Sequence, residues 1–558
     1  MGRMISLPTV RVRLLLHLSV AGFLLVVASS AKYSIEWVPV VDLGLFRLLP
    51  IGYWIGVGLM GAAVILGIKC NDERVFFVQV LLIYLGIWGA PSLFAGYPDV
   101  WDSYMHYYSS QKIMETGTTI AQGLDSYSAN YPGFFTVGAT FGLLGGVQSN
   151  QLVLAFLQYY PMFAAGFTLL AMYLFVRTYM PTKDYRFALM VSVLANVWVQ
   201  YNYSPQSMGL AVGLLIFVFL EKEGFRWLLL GLAAFTYVVV SHPTTLFFVI
   251  LAMVAREIFV AFRHWRSKGR IYEKSWPVLI FLLVWAAWLS TGAQQYSRFL
   301  ITEIWSKISF IFTIAEETGK QGAQRVGGNI FALGPYLRLA VLGIFMLLLL
   351  ISIITYLKRG RKRVLLPGGI LAMAIIPLFV IPLDILLLQG QVYDRGFLFF
   401  ALAAPILFTL MFFHRWTNIR KVVAVVLIVA VLAGAASTYY QESLYAVSSR
   451  SLGMSEHIVS DMPRGSSVVG GTYPDLVWQP GDWGKFTRVK YFAVYKEPFS
   501  NITRDGATGM IFDRTTQLWM TQYGQLNIYD FYLDSINNYT KVYDSGAYEM
   551  IYGGVVRG

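Results

Sequence analysis

A single cysteine, Cys70, stands among the 558 residues, so no intrachain disulfide framework is available. Set beside a basic turn, it reads as an ordinary residue near the inner membrane surface. Charge is scarce: 13% of residues are Asp, Glu, Lys or Arg against 57% hydrophobic, and mean hydropathy is +0.58. Such a composition excludes an ordinary soluble globule. The sequence has no P-loop and no glycine-rich dinucleotide fingerprint leading into a helix, so the usual signatures of nucleotide chemistry are missing. Internal repeats and low-complexity tracts are absent too. Acidic residues are the minority, 30 against 43 basic, for a net charge of +13. That excess does not point to nucleic acid, because the bases gather in short connectors between apolar runs. This is the positive-inside pattern of a multi-pass membrane protein.

Apolar runs long enough to cross a bilayer recur to about residue 440 and then stop. Spans are expected near 14–30, 49–68, 75–91, 152–176, 187–200, 207–220, 227–241, 244–262, 276–290, 335–357, 367–383, 397–413 and 422–439. The inner side is set by Lys69 and Arg74, by Arg263 to Lys274, by the run Lys358 to Arg363, and by Arg415, Arg420 and Lys421. The N-terminus, with Arg3, Arg11 and Arg13 before Leu14 to Ala28, resembles a signal sequence. With so many further spans, it reads as an uncleaved first helix with a cytoplasmic N-terminus. Two large outer loops follow, 92–150 and 291–334. Gly133 to Gly146 is too short to span and suits a helix lying at the outer interface.

The expected plan is therefore an α-helical polytopic domain over 1–440, with thirteen spans. Beyond it, 441–558 is polar and rich in Tyr, Gly and Asp. Alternating stretches at Val489 to Tyr495 and Gly546 to Tyr552 predict a small mixed α/β domain, closing with a hairpin, on the outer side.

The polar clusters that could carry chemistry face outward. Tyr97 to Tyr108 holds Asp99, Asp102 and His106, which share one face if the segment is helical. Read alone, it is an interfacial helix; read with the other clusters, it is a chemical site. Glu316 and Glu317 lie in the second outer loop. Arg395 heads an apolar run after Tyr393 and Asp394, where an outer arginine either snorkels or holds phosphate. His242, in Ser241-His242-Pro243, lines a cavity, donates to phosphate or caps a helix. The turn Asn202 to Gln206 is neutral and hydrogen-bonding, suited to sugar hydroxyls or to a plain outer turn. For sugar transfer, a carboxylate takes a proton or holds a metal or an acceptor amide, and a cation neutralises the leaving phosphate.

Asp102-Ser103-Tyr104-Met105-His106 with Glu115-Thr116-Gly117 resembles the "DxYYH…ETG" phrase of oligosaccharyltransferase catalytic subunits and their archaeal relatives. Thr313-Ile314-Ala315-Glu316 is similar to their TIxE motif, and Arg395 resembles the arginine that binds the donor diphosphate. The chain thus resembles the membrane glycosyltransferases of the C fold (GT-C). The resemblance implies a polyprenyl- or dolichyl-(di)phosphate sugar donor and a glycan, lipid or protein acceptor in an archaeal cell membrane. Asp102, Asp99, His106 and Glu316 would be catalytic. Arg395, His242 and Tyr393 would face the donor phosphate, and Asp102 and Glu316 would be ligands of a divalent cation, Mg or Mn. Two departures argue for a different acceptor from asparagine. The second acidic motif is replaced by Ser204, Pro205 and Gln206, and Trp478 to Gly484 only echoes the WWDYG signature.

An oligosaccharyltransferase acting on asparagine is the nearest alternative, and a transporter or flippase the alternative from another class. The latter would place ionisable groups mid-span, whereas here they sit at rims and in outer loops. The charge pattern makes a first prediction. Protease added to intact cells should cleave within 441–558, where Asn501-Ile502-Thr503 and Asn538-Tyr539-Thr540 are glycosylation patterns. Protection of this region until lysis would refute the assigned sidedness.

Overall fold

The computed structural model describes residues 9–31, 35, 48–68, 72–98, 100–120, 126–147, 150–180, 184–194, 196, 199–266, 276–298, 301–302, 333–358, 367–387 and 392–411, with five strands between 467 and 552. The membrane part is built of helices. In chain order these are α1 (Thr9–Ser30), α2 (Ile51–Gly67), α3 (Glu73–Trp88), α4 (Ala90–Phe94), α5 (Trp101–Thr116), α6 (Ser126–Asn130), α7 (Gly133–Gly145) and α8 (Asn150–Tyr179). They continue as α9 (Tyr185–Leu194), α10 (Pro205–Leu220), α11 (Phe225–Ser241), α12 (Pro243–Arg266), α13 (Trp276–Thr291), α14 (Leu333–Lys358), α15 (Gly368–Leu387) and α16 (Tyr393–Met411).

A helix is described at every expected span except 422–439, which lies outside the described residues. Among the described residues, five helices are both long and apolar enough to cross a membrane, and seven further apolar helices are shorter. The chain is a multi-pass membrane protein. At 187–200 the expected span is cut short: α9 ends at Leu194, and its ten residues rise only about 15 Å. Helix α7 has the short length expected of an interfacial element.

Local chemistry explains the helix ends. Asp72 caps α3 by accepting the N–H groups of Arg74 at 2.9 Å and Val75 at 3.2 Å. Gly117, at φ 67°, closes α5 in the left-handed conformation that a side chain would disfavour. Between helices, small residues let backbones approach where lipid supplies no hydrophobic drive. A Cβ added to Gly22 on α1 would lie 2.7 Å from the carbonyl of Gly56 on α2.

Two polar ends are separated by apolar helix. Tyr179 at the end of α8 donates to Glu221 at the end of α10 (3.2 Å), and Arg256 pairs with Glu221 (3.0 Å). Arg177 lies 3.4 Å from Glu73 at the start of α3. The other end of α10, its start at Pro205, is about 24 Å away and belongs to the second polar cluster.

In the C-terminal part five strands form one sheet: β1 (Ser467–Gly470), β2 (Arg488–Tyr491), β3 (Gly509–Asp513), β4 (Thr540–Asp544) and β5 (Tyr548–Tyr552). The order is β2-β1-β3-β5-β4, with β1 parallel to β2 and β3 and the last three strands antiparallel. The expected closing hairpin is β4–β5. Its register shifts between Lys541 and Tyr543. The helical part expected of this domain lies outside the described residues.

Packing around Gly138 makes the second prediction. A Cβ there would fall on the Tyr203 hydroxyl and lie 2.7 Å from Ser110 Oγ, which itself bonds that hydroxyl at 2.7 Å. Gly138→Ala should lower the apparent Tm of detergent-purified protein, costing about 2 kcal/mol through overpacking and the lost bond. Gly166→Ala, where an added methyl meets nothing within 4 Å, should leave Tm unchanged or slightly raised.

Candidate active site

Helix α5 is polar for a membrane protein, and its first turn carries Asp102 near the positive end of the helix dipole. One turn on, His106 Nε2 lies 3.1 Å from Asp102 Oδ2, the i,i+4 pairing expected of a shared face. Asp99 lies outside the described residues, so the structure shows the pair without its third member. The His106 ring packs on Phe135 of α7 with centroids 5.5 Å apart, so the imidazole is held between a carboxylate and an aromatic wall.

From the turn before α10, the Asn202 side chain hydrogen-bonds Asp102. Burial disfavours the Asp102 charge. His106, Arg395 and the Asn202 bond outweigh it and hold the carboxyl below the usual carboxylate range. Asp102 is thus ionised at neutral pH. Although it is set deep among protein atoms, 35% of its side chain is accessible, which places it in the wall of a recess.

Arg395 reaches the same recess from the first turn of α16. A cation at a helix N-terminus opposes the dipole, and carboxylates offset it. Asp394 Oδ1 takes the Arg395 guanidinium at 2.7 Å and its backbone N–H at 2.9 Å. One residue before α16, the N–H of Val392 donates to buried Asp384 at 2.8 Å. Tyr127, Tyr296 and Tyr393 all lie within electrostatic range of the guanidinium. The depth of α16 is set by Ser192 on α9 and Asn196 just beyond its end, whose side chains donate to the Leu402 and Leu398 carbonyls at 3.0 and 3.2 Å. Gly396 completes the seat, since a Cβ there would lie 2.9 Å from Ile381 on α15.

His242 fills the corner between α11 and α12 and is 6% exposed. Its Nδ1 accepts the Thr245 N–H at 3.1 Å, so it caps α12, one of the roles anticipated for it. With Nδ1 an acceptor, the neutral ring carries its proton on Nε2 and keeps one donor. Burial first, then the Arg395 and His106 charges, push its pKa down to about 3.

Of the anticipated residues, the structure brings together Asp102, His106, His242, Arg395 and Tyr393. Glu316, like Asp99, lies outside the described residues. Sequence reading missed Tyr127 and Tyr296, two tyrosines between the apolar runs with no periodic or motif signal. It placed Asn202 in a neutral sugar-binding turn but not on Asp102. Among the described residues, no three His, Cys, Asp or Glu side chains converge as metal ligands. The carboxylate at hand is already engaged by an imidazole and an amide, in the field of a guanidinium. A hard divalent cation takes several oxygen ligands, and the described donors do not fit one.

Comparison with known proteins bears on the fold. No protein-family model matches the chain, and no curated protein matches its sequence. Among solved structures, it is similar to the Archaeoglobus fulgidus oligosaccharyltransferase crystallised in complex with Zn and sulfate. The TM-score is 0.50 and the identity 11%, over 85% of this chain and 72% of that one. The chain has the GT-C fold. ArnT from Cupriavidus metallidurans in the apo state is a weaker match, with TM-score 0.37 and 12% identity over 86% of this chain and 97% of that one. In this fold Asp102 on α5 and His242 before α12 both lie within electrostatic range of Arg395 on α16, although almost 300 positions separate the first from the last.

The buried imidazole gives a third prediction. The folded His242 pKa lies below that of the unfolded chain, so the unfolded chain takes up the proton first. Stability is complete above about pH 7 and falls as pH drops from about 6.5 toward 3. Between about pH 7 and 4.5 the loss should be roughly 3 kcal/mol, read as a falling apparent Tm. His242→Asn, which keeps an N-cap acceptor, should flatten that slope; an unchanged slope would show that another group causes it.

Proposed function

We propose that this protein moves a sugar or glycan from a polyprenyl-(di)phosphate donor to an acceptor at the outer face of the membrane. The observation that carries the reading is the convergence of the Asp102–His106–Asn202 group with Arg395 and His242 in one recess of a GT-C fold. Arg395, at a helix N-terminus, faces the phosphate whose charge grows as the glycosidic bond breaks. The His242 Nε2–H is a neutral donor on the same side. Asp102 faces the acceptor. As an ionised carboxylate it accepts the hydrogen bond of an acceptor hydroxyl or amide, orients it for attack, and receives the proton as the new bond forms. His106 and Asn202 hold it in place. Glu316 and Asp99 are proposed to complete the acceptor side.

The region 441–558 is proposed as an extracytoplasmic domain following the membrane domain 1–440, with thirteen spans and a cytoplasmic N-terminus. The second reading, transfer to asparagine, draws on the fold shared with an oligosaccharyltransferase. An acceptor panel of hydroxyl compounds and Asn-containing peptides separates the two.

The fourth prediction assigns unequal roles. Asp102→Asn, nearly isosteric, should abolish transfer while leaving donor binding largely intact. Arg395→Ala should weaken donor binding and lower turnover by roughly two orders of magnitude, the cost of one such electrostatic contact. Lipid-donor binding and sugar transfer measured separately on purified protein check both. Near-normal transfer by Asp102→Asn, or unchanged donor binding by Arg395→Ala, would overturn the assignment concerned.

A further inference from the structure

The turn into α10 holds a group of buried polar atoms that the mechanism above does not use. Gln206 is 3% exposed and Ser204 2% exposed. Neither the Gln206 Oε1 and Nε2 nor the Ser204 Oγ has a hydrogen-bond partner among the described residues. Ser204 is the N-cap of α10, the position where a serine hydroxyl ordinarily accepts a helix N–H, yet its side chain makes no capping bond. Unsatisfied buried amides and hydroxyls cost stability, so three such atoms within one turn call for a ligand or ordered water.

Their position in the helix tells which side of the recess they serve. On α10, Gly209 and Gly213 face the start of α12: a Cβ on Gly209 would meet Thr245 Oγ1 at 3.5 Å and His242 Cβ at 3.6 Å, and one on Gly213 would meet Val249 at 3.2 Å. Gln206 is three residues before Gly209 and seven before Gly213, so it continues that stripe toward His242. The opposite face is spoken for, because Ser207 Oγ bonds Tyr160 at 2.9 Å and Tyr203 packs among Phe134, Phe156 and Tyr160. Asn202, four residues earlier, bonds Asp102. Gln206 is thus bracketed by the acceptor-side carboxylate and by His242, which lies in the field of Arg395.

These groups are neutral. A phosphate answers to Arg395; an amide and a hydroxyl answer to groups that both give and take hydrogen bonds without charge, which is the chemistry of a sugar's hydroxyl or acetamido substituents. The glycosyl carbon is bonded to a phosphate oxygen, so the ring must lie immediately beside the phosphate. Resting on the reading proposed above, we infer that Gln206 and Ser204, with the His242 Nε2–H, form the pocket for the donor's sugar and determine which sugar is accepted. A site built to hydrogen-bond a hydroxyl rejects an analogue lacking it strongly, because its own groups are then left unpaired.

The test compares bare and sugar-bearing lipids on detergent-purified full-length protein. The probes are dolichyl phosphate, dolichyl phosphate mannose, dolichyl phosphate glucose, dolichyl diphosphate and dolichyl diphosphate N-acetylglucosamine. The wild type should bind at least one sugar-bearing lipid about tenfold tighter than its bare counterpart. Gln206→Leu should keep bare-lipid affinity within about twofold, lose the sugar-dependent gain, and raise the apparent Tm without lipid, since two unpaired polar atoms are gone. Ser204→Ala should act in the same direction and serves where Gln206→Leu does not fold. Three results would overturn the inference: no gain from any sugar in the wild type, a gain retained in both variants, or a fall in Tm with equal loss of bare and glycosylated lipid. Failure of the wild type to bind any of the five lipids would instead overturn the function proposed above.

Discussion

Arg395 heads a nineteen-residue apolar helix, where both the surrounding low dielectric and the helix dipole oppose its charge. A cation in that place persists because carboxylates are brought to it. Asp394 supplies one from the same turn, and Asp102 supplies the field of a second from a helix almost 300 residues earlier. Breaking the Asp394–Arg395 pair by removing one partner strands the other charge, so the first turn of α16 is built around that pair. The rest of the recess answers to it. His242 stays neutral because it is buried, with the Arg395 and His106 charges adding to the effect, and Asn202 bonds the carboxylate that His106 and Arg395 hold ionised.

Holding those helices in register takes directional bonds, since apolar side chains in lipid slide with little penalty. Ser192 and Asn196 reach carbonyls of α16 one turn apart, which fixes both its depth and its rotation. Gly396 then allows α16 to lie against Ile381, so the guanidinium one residue earlier is placed to within a side chain's width. On the other side of the recess, α5 is tied to the turn before α10 by the Ser110–Tyr203 bond, which forms over Gly138 of α7 because nothing larger fits. Tyr203 is the hub of that wall. Its ring lies 4.7 Å from Phe134 and 5.0 Å from Tyr160, and its neighbour in sequence, Asn202, bonds the carboxylate. Aromatic packing thereby aims a polar turn.

The division of labour in the recess follows from charge. One end holds a guanidinium and a helix N-terminus, suited to an anion. The other holds an ionised carboxylate backed by an imidazole and an amide, suited to a donor hydrogen. Between them lie neutral amide and hydroxyl groups in a buried turn. A lipid-phosphate sugar meeting an acceptor presents the same order of chemistry: phosphate, neutral ring, acceptor proton.

What the sequence determined by itself is whatever depends on local pattern. Hydropathy alone placed the helices from Leu14 to Met411, because a backbone in lipid must satisfy its own hydrogen bonds and does so as helix. Spacing alone paired Asp102 with His106, since four residues make one helical turn. Alternation alone placed the final strand and its hairpin. Arg395 and His242 were visible as polar residues at the rims of apolar runs, where a buried charge or imidazole is costly enough to need a reason. Other features were not legible. Tyr127 and Tyr296, which join the anticipated Tyr393 near Arg395, come from separate connections with no common spacing. The partnership of Asn202 with Asp102 joins a turn to the first turn of a helix about 100 residues earlier, which only the tertiary packing brings together. The early end of α9 and the unpaired amide of Gln206 were decided the same way. Long-range contacts carry no periodic signal in one chain, and they are fixed only when the helices that bear them have packed.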